Sequence, residues 1–301
     1  MEFAVNYSPL LAELVKEGQV QVDRFKCPAW PDLIEEAQKV LPVYVHFPLT
    51  IGNNLGYPVD AETKAPADLD RVAAIMEGSG TPYVNTHMVP SAANYPHIPL
   101  DSTAPEYIRQ VIDGALRDLE PLINRFGAER VLIENIINEY GWLTLGTLPE
   151  VFGRLLEETG CGFLFDLSHA RLTARNLGLD EREYAASLPV DQIREVHVTG
   201  LQRLEGELLR KLQSTGNLGG YSSMVGKYID HVPMTGKDWP ELEWMCEQIW
   251  KPGSRWNEPW VVSFECGGVG DFWEQVTERE VYLTQLPRMK TIIANTVSNL
   301  P

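Results

Sequence analysis

The chain has 301 residues, 44% of them hydrophobic, which suits one large α/β domain or two ordinary ones and allows a sizeable core. Its 42 acidic residues outweigh 25 basic ones, giving a net charge of −17 with no dense Lys/Arg run, so no nucleic-acid partner is expected. No run of about 18 apolar residues and no basic-then-apolar N-terminal segment occurs, so neither a membrane span nor a signal peptide is expected and the cytoplasm is the expected compartment.

Along the chain, a short apolar strand is repeatedly followed by an amphipathic helix. Strands are expected at FAVNYS (3–8), VDRFKC (22–27), VYVHFPL (43–49), YVNTHMV (83–89), RVLIENI (130–136), GFLFDLS (162–168), REVHVTG (194–200) and PWVVSFECG (259–267). Each is rich in Val, Ile or Phe and bounded by Pro, Gly or polar residues, as in fully buried parallel strands. Helices are expected at 8–17, 31–41, 67–78, 105–126, 148–159, 181–188, 238–250 and 273–297. The segment LPEVFGRLLEETG shows the signal well, with Pro149 early, one apolar face and Gly160 after the last turn.

Eight such alternations predict the α/β class and a single (β/α)8 TIM barrel over residues 1–301. An open doubly wound sheet is the alternative. It usually carries a glycine-rich phosphate loop, and no GxGxxG or P-loop is present. Two long connections, 50–64 and 201–237, follow strand ends on the face where such barrels carry their active sites, and could act as lids.

The chain has six histidines. His46, His87 and His197 fall at the ends of expected strands, His169 just after one, and His231 in the second long loop; His97, in a Pro-flanked loop, reads as incidental. Carboxylates occupy matching places: Glu134, Asp166, Asp230 and Glu265. A charged group buried in an apolar strand costs several kcal/mol unless paired or coordinated. One such residue reads as a structural hydrogen-bonder; so many converging on one rim predict a metal site at the C-terminal end of the barrel. His and carboxylate donors without a thiolate cluster suit iron, manganese or zinc. Their number exceeds what one ion takes, so two or three divalent ions are expected, with Glu134 and Glu265 placed to bridge.

The segments HFPL, IENI, FDLSHA, VHVTG, DHVPM and SFECG each resemble a metal-ligand motif of the xylose isomerase-like barrel superfamily, which includes sugar epimerases and endonuclease IV-type DNA repair enzymes. The stretch from LIENIINEYG to VHVTG, with VHFPLTIG and VNTHM, is similar to one branch, the multinuclear non-heme iron-dependent oxidases that modify cysteine-containing peptides. The resemblance covers roughly residues 43–265. It implies one ion on His46, His87 and Glu134, a second on Glu134, Asp166, His197 and Glu265, and a third on His169, Asp230 and His231. One residue usually separates the loop Asp and His in that branch, whereas Asp230 and His231 are adjacent here, and the first two strands lack its motifs.

The leading expectation is an iron oxidase acting on a small or peptidic thiol or amide substrate, with Glu134, Glu265 and His169 as catalytic groups. A partner protein that delivers a peptide stays open. A sugar isomerase or epimerase needs one ion on Glu134, Asp166, His197 and Glu265 and leaves His46, His87, Asp230 and His231 unexplained. Phosphodiester hydrolysis on DNA suits the ligand count but not the charge. An inactive barrel would have little reason to keep so many costly ligands. Arg171 is a candidate for a substrate anion or an ion pair, Asn135 for orienting ligands, and Cys266 for a buried structural thiol.

Overall fold

The computed structural model describes residues 1–138, 141–216 and 221–298. Each expected apolar run forms strand: β1 (Glu2–Asn6), β2 (Arg24–Pro28), β3 (Val43–His46), β4 (Leu49–Ile51), then β5 (Val59–Asp60), which was not expected, β6 (Val84–Met88), β7 (Val131–Glu134), β8 (Gly162–Asp166) and β9 (Ile193–Val198). A hairpin, β10 (Gly200–Arg203) and β11 (Tyr228–Val232), precedes β12 (Val261–Phe264). Ten strands form one curled sheet in the order β3-β2-β1-β12-β9-β8-β7-β6-β4-β5. Neighbours run parallel except for the β4–β5 pair.

The two arms of this sheet, β3 and β4, come from one expected strand interrupted at Phe47–Pro48. Pro48 has no N–H to give a ladder. Phe47 is tied to β6 by a side chain instead: its N–H donates to Asn85 Oδ1 at 2.7 Å and its carbonyl accepts from Asn85 Nδ2 at 3.2 Å.

Helices α1 (Pro9–Lys16), α2 (Pro31–Gln38), α3 (Leu69–Ser79), α4 (Pro105–Phe126), α5 (Pro149–Thr159), α6 (Leu167–Leu177), α7 (Glu181–Ser187), α8 (Gly206–Ser214), α9 (Trp239–Trp250), α10 (Asp271–Val276) and α11 (Arg279–Ser298) fall between or after the strands. Proline is the first residue of α1, α2, α4 and α5 and the second of α9, where its missing N–H costs nothing. The main core runs between strands and helices, with Phe25, Val45, Ile133, Phe163, Val196 and Phe264 meeting Leu11, Ile34, Leu119, Phe152 and Leu286. Among the described residues no helix is long and apolar enough to cross a membrane.

Three further features depart from the expectation. Helix α6 starts directly after β8 with no break, because its N-cap is Asp166, whose carboxylate accepts from the His169 N–H at 2.7 Å. The segment 201–237 is not an irregular loop: β10, α8 and β11 close over a small core of Leu204, Leu212, Ile229, Val232, Phe272 and Val276. Its residues 217–220 lie outside the described part. The helix expected over 273–297 is two helices, α10 and α11, separated at Thr277 and Glu278. The loop 50–64 is also anchored at its start. The buried Asp118 carboxylate on α4 accepts the N–H groups of Gly52, Asn53, Asn54, Leu55 and Gly56 at 2.7–3.0 Å.

Candidate metal centre

His46 ends β3, His87 lies on β6, Glu134 ends β7, Asp166 ends β8, His197 lies on β9, and Glu265 follows β12 directly. Parallel pairing aligns these ends, with His87 opposite Glu134 and Asp166 opposite His197. Two groups of ligand atoms result, each within 4.8 Å: His46, His87 and Glu134, and Glu134, Asp166 and His197. Glu134 is common to both. Its Oε2 lies 2.9 Å from His46 Nε2 and 3.1 Å from His87 Nε2, and its Oε1 lies 3.7 Å from His197 Nδ1.

The chemistry of this donor set fits a cation. His87 Nδ1 is 3.1 Å from the Leu49 carbonyl. A carbonyl only accepts, so Nδ1 carries a proton, and Nε2 is left facing the Glu134 carboxylate at 3.1 Å. His197 is fixed the same way: Nε2 donates to the buried Glu195 carboxylate at 2.8 Å. His197 Nδ1 is then a buried nitrogen without a hydrogen bond, and so is Asp166 Oδ2 as an oxygen. Unpartnered buried atoms of this kind are rare unless an ion or water satisfies them.

His169 and Asp230 form a further pair. His169 Nδ1 donates to the Asn135 carbonyl at 2.8 Å, and Nε2 lies 3.1 Å from Asp230 Oδ2. His231 does not join them in a close group. It adopts a left-handed φ of 57° and turns its Nε2 toward Glu265 Oε2, 3.8 Å away. Burial would lower the His169 pKa, but Asp166 and Asp230 outweigh it and lift it to about 10. Burial would raise the Asp230 carboxyl, but His231 and His169 hold it at about 2. For Glu134, too, burial is outweighed, here by His87 and His46, which hold it well below the usual carboxylate range.

Two residues of the centre were absent from the sequence reading. Glu195 sits two residues before His197 on β9, on the same side of the strand by the period of two. Lys26 on β2 is buried and in contact with Glu265. Its neighbours Phe25 and Cys27 belong to the core between strands and helices, so the same alternation puts Lys26 on the other side. Burial lowers its pKa to about 8 against the pull of the surrounding carboxylates.

Asn135, the candidate for orienting ligands, is hydrogen-bonded to the backbone of Asp166. Its Nδ2 donates to the Asp166 carbonyl at 2.8 Å and its Oδ1 accepts from the Asp166 N–H at 2.9 Å. Arg171 has a different occupation from anion binding. It is buried, with Nε on Glu181 at 2.7 Å and Nη1 on Asp238 at 2.8 Å, because the helical turn after Asp166 points it toward α7 and α9. Cys266 is buried, and burial pushes its thiol well above the ordinary range. The exposed His97 bonds Gln110 away from the centre.

His46, His87 and Glu134, with His169, Asp230, His231 and Glu265, line a pocket of about 370 Å³ whose other walls include Val89, Ile136, Ile137, Trp142, Met224 and Ile229. A second pocket of about 290 Å³ lies across Lys26, His46 and His231 and is lined by Tyr7, Trp30 and Trp273 among others.

Solved structures share this fold. Endonuclease IV from Thermus thermophilus aligns over 98% of this chain and 100% of its own at 16% identity and a TM-score of 0.50. The apo 3-keto-D-glucoside 4-epimerase YcjR from E. coli aligns over 96% and 98% at 14% identity and a TM-score of 0.52. At these identities the likeness shows the fold alone. Sequence narrows it further. Residues 28–212, more than half of the chain, match the family described as RiPP precursor modification enzyme MbnB/TglH/ChrH, and the chain belongs to that family. A UPF0276 protein of Acaryochloris marina is 26% identical over 172 residues, 56% of this chain and 59% of that protein. One of Anaeromyxobacter is 26% identical over 147 residues, 44% and 50%. The matched part thus spans between half and three-fifths of these relatives.

Proposed function

We propose that the protein is a non-heme iron oxidase that modifies a thiol or amide of a ribosomally made peptide. The observation that carries this reading is the pair of donor groups sharing Glu134, with His197 Nδ1 and Asp166 Oδ2 buried and unpartnered beside it. Family membership supports a peptide as the substrate. In this reading residues 43–51 are one strand broken at Phe47–Pro48, which makes eight parallel strands and puts the donors at one rim.

Paired iron ions would supply dioxygen activation and redox chemistry. The chain's own residues do the rest. His46, His87 and Glu134 hold one ion, and Glu134, Asp166 and His197 a second. Asn135 and Glu195 fix the orientation and tautomer of those ligands. Val89, Ile136, Ile137, Met224 and Ile229 keep the pocket apolar. His169 and Asp230 hold a proton beside it, within reach of a substrate thiol or amide. A one-ion sugar isomerase would leave His46 and His87, both within 3.1 Å of Glu134, without a task.

The test is metal content by mass spectrometry on protein purified without chelator, beside Glu134→Ala. Two or three irons per chain, lost in the variant, are expected. A single manganese, cobalt or magnesium favours the isomerase, and two or three zincs the hydrolase. No metal in either protein after reconstitution overturns the reading.

A further inference from the structure

Every other charged residue drawn into this centre is a metal-ligand type; Lys26 is not. Its ammonium, buried on β2, touches Glu265 Oε1, the oxygen that also lies 3.1 Å from His197 Nδ1. It acts electrostatically on Glu134, Glu195, Asp166 and Asp230 as well. Glu265 falls outside both close donor groups, and so does His231, whose Nε2 lies 3.8 Å from the other carboxylate oxygen of Glu265. Lys26 and His231 also stand together on the wall between the two pockets.

An ammonium and a divalent ion compete for the same carboxylate oxygen, and two cations in one low-dielectric site repel strongly. From this geometry we propose that Lys26 is the built-in third cation of the centre: it takes the place of a metal ion beside Glu265 and His231, so that the chain holds two ions and no more. The inference rests on the metal-centre reading and deepens it. It makes Lys26 the residue that sets the stoichiometry, by contact and charge, and reserves Glu265 from metal binding.

The experiment counts ions without reference to turnover. Metal-free protein is loaded anaerobically with excess ferrous iron, desalted and analysed for iron per chain. The wild type is expected to hold two. Lys26→Met, which keeps the apolar stem and removes the charge, is expected to hold three. Lys26→Arg, which keeps the charge, stays at two. Circular dichroism and thermal unfolding establish that each variant is native; should Lys26→Met fail to fold, Lys26→Gln takes its place. Three irons in the wild type, or two in a folded neutral variant, overturn the role of Lys26 while leaving the metal centre standing. No iron in any of the proteins overturns the centre itself.

Discussion

Glu195 offers the sharpest test of the proposed centre, because it touches only one candidate ligand. Its Oε1 accepts from His197 Nε2 at 2.8 Å, and its Oε2 from Trp260 Nε1 at 3.3 Å. Replacing it with Ala frees His197 to place its proton on Nδ1, the atom that faces Asp166 and Glu265. Loss of such an orienting partner weakens metal binding by roughly 10–100-fold, which is about 1.4–2.8 kcal/mol. The variant also removes the acceptor of the buried His197 Nε2–H and of the half-buried Trp260 Nε1–H, at a cost of about 1–3 kcal/mol in stability for the buried one. The two effects separate experimentally. Urea unfolding in chelator reads the second alone, and calorimetric titration of the metal-free protein with manganese reads the first. Glu195→Gln keeps a carbonyl acceptor and should recover most of the affinity. Manganese affinity within twofold of wild type in folded Glu195→Ala would refute the argument that Glu195 sets the tautomer of a metal-binding His197.

Asp118→Ala removes the shared acceptor of five backbone N–H groups and should cost at least about 3 kcal/mol in urea unfolding; a loss under about 1 kcal/mol, the size of a surface substitution, would mean the loop 52–56 holds its shape without the anchor. His169, whose pKa of about 10 keeps it protonated at pH 8 in the metal-free protein, is a ligand of neither ion and should keep that proton on loading, so calorimetry in buffers of different ionisation enthalpy should show the same proton release for His169→Gln as for the wild type. The same raised pKa stabilises the metal-free fold below the unfolded value of 6.5, and that contribution is lost as pH rises through about 10. Gly200→Ala would put a Cβ 2.0 Å from the Pro233 carbonyl oxygen, so the hairpin must shift, lowering stability by about 1–3 kcal/mol and weakening the His169–Asp230 contact, read by a lower His169 pKa in NMR titration.

Much of this molecule follows from the sequence, for local reasons. Alternating strands and helices are written in residue periodicity, and VLIE or GFLFD reads as a buried strand wherever it lies. The donors His46, His87, Glu134, Asp166 and His197 are legible because a polar group ending an apolar strand needs a partner. Local reading fails where one residue serves two purposes. Asp166 is both a donor and the N-cap of α6, so the helix was hidden behind the ligand. It fails again where the partner is distant in the chain. Arg171 meets Asp238 only because α6 and α9 fold toward each other, which makes it an ion pair rather than an anion site. Strand order alone decides that β1 and β12 pair, which brings β2, one strand further on, close enough for Lys26 to meet Glu265. Hydrophobic patterning thus fixed which residues are inside, since burial depends on each segment's own period; which buried charges face one another depended on sheet order, and only the tertiary structure supplies that.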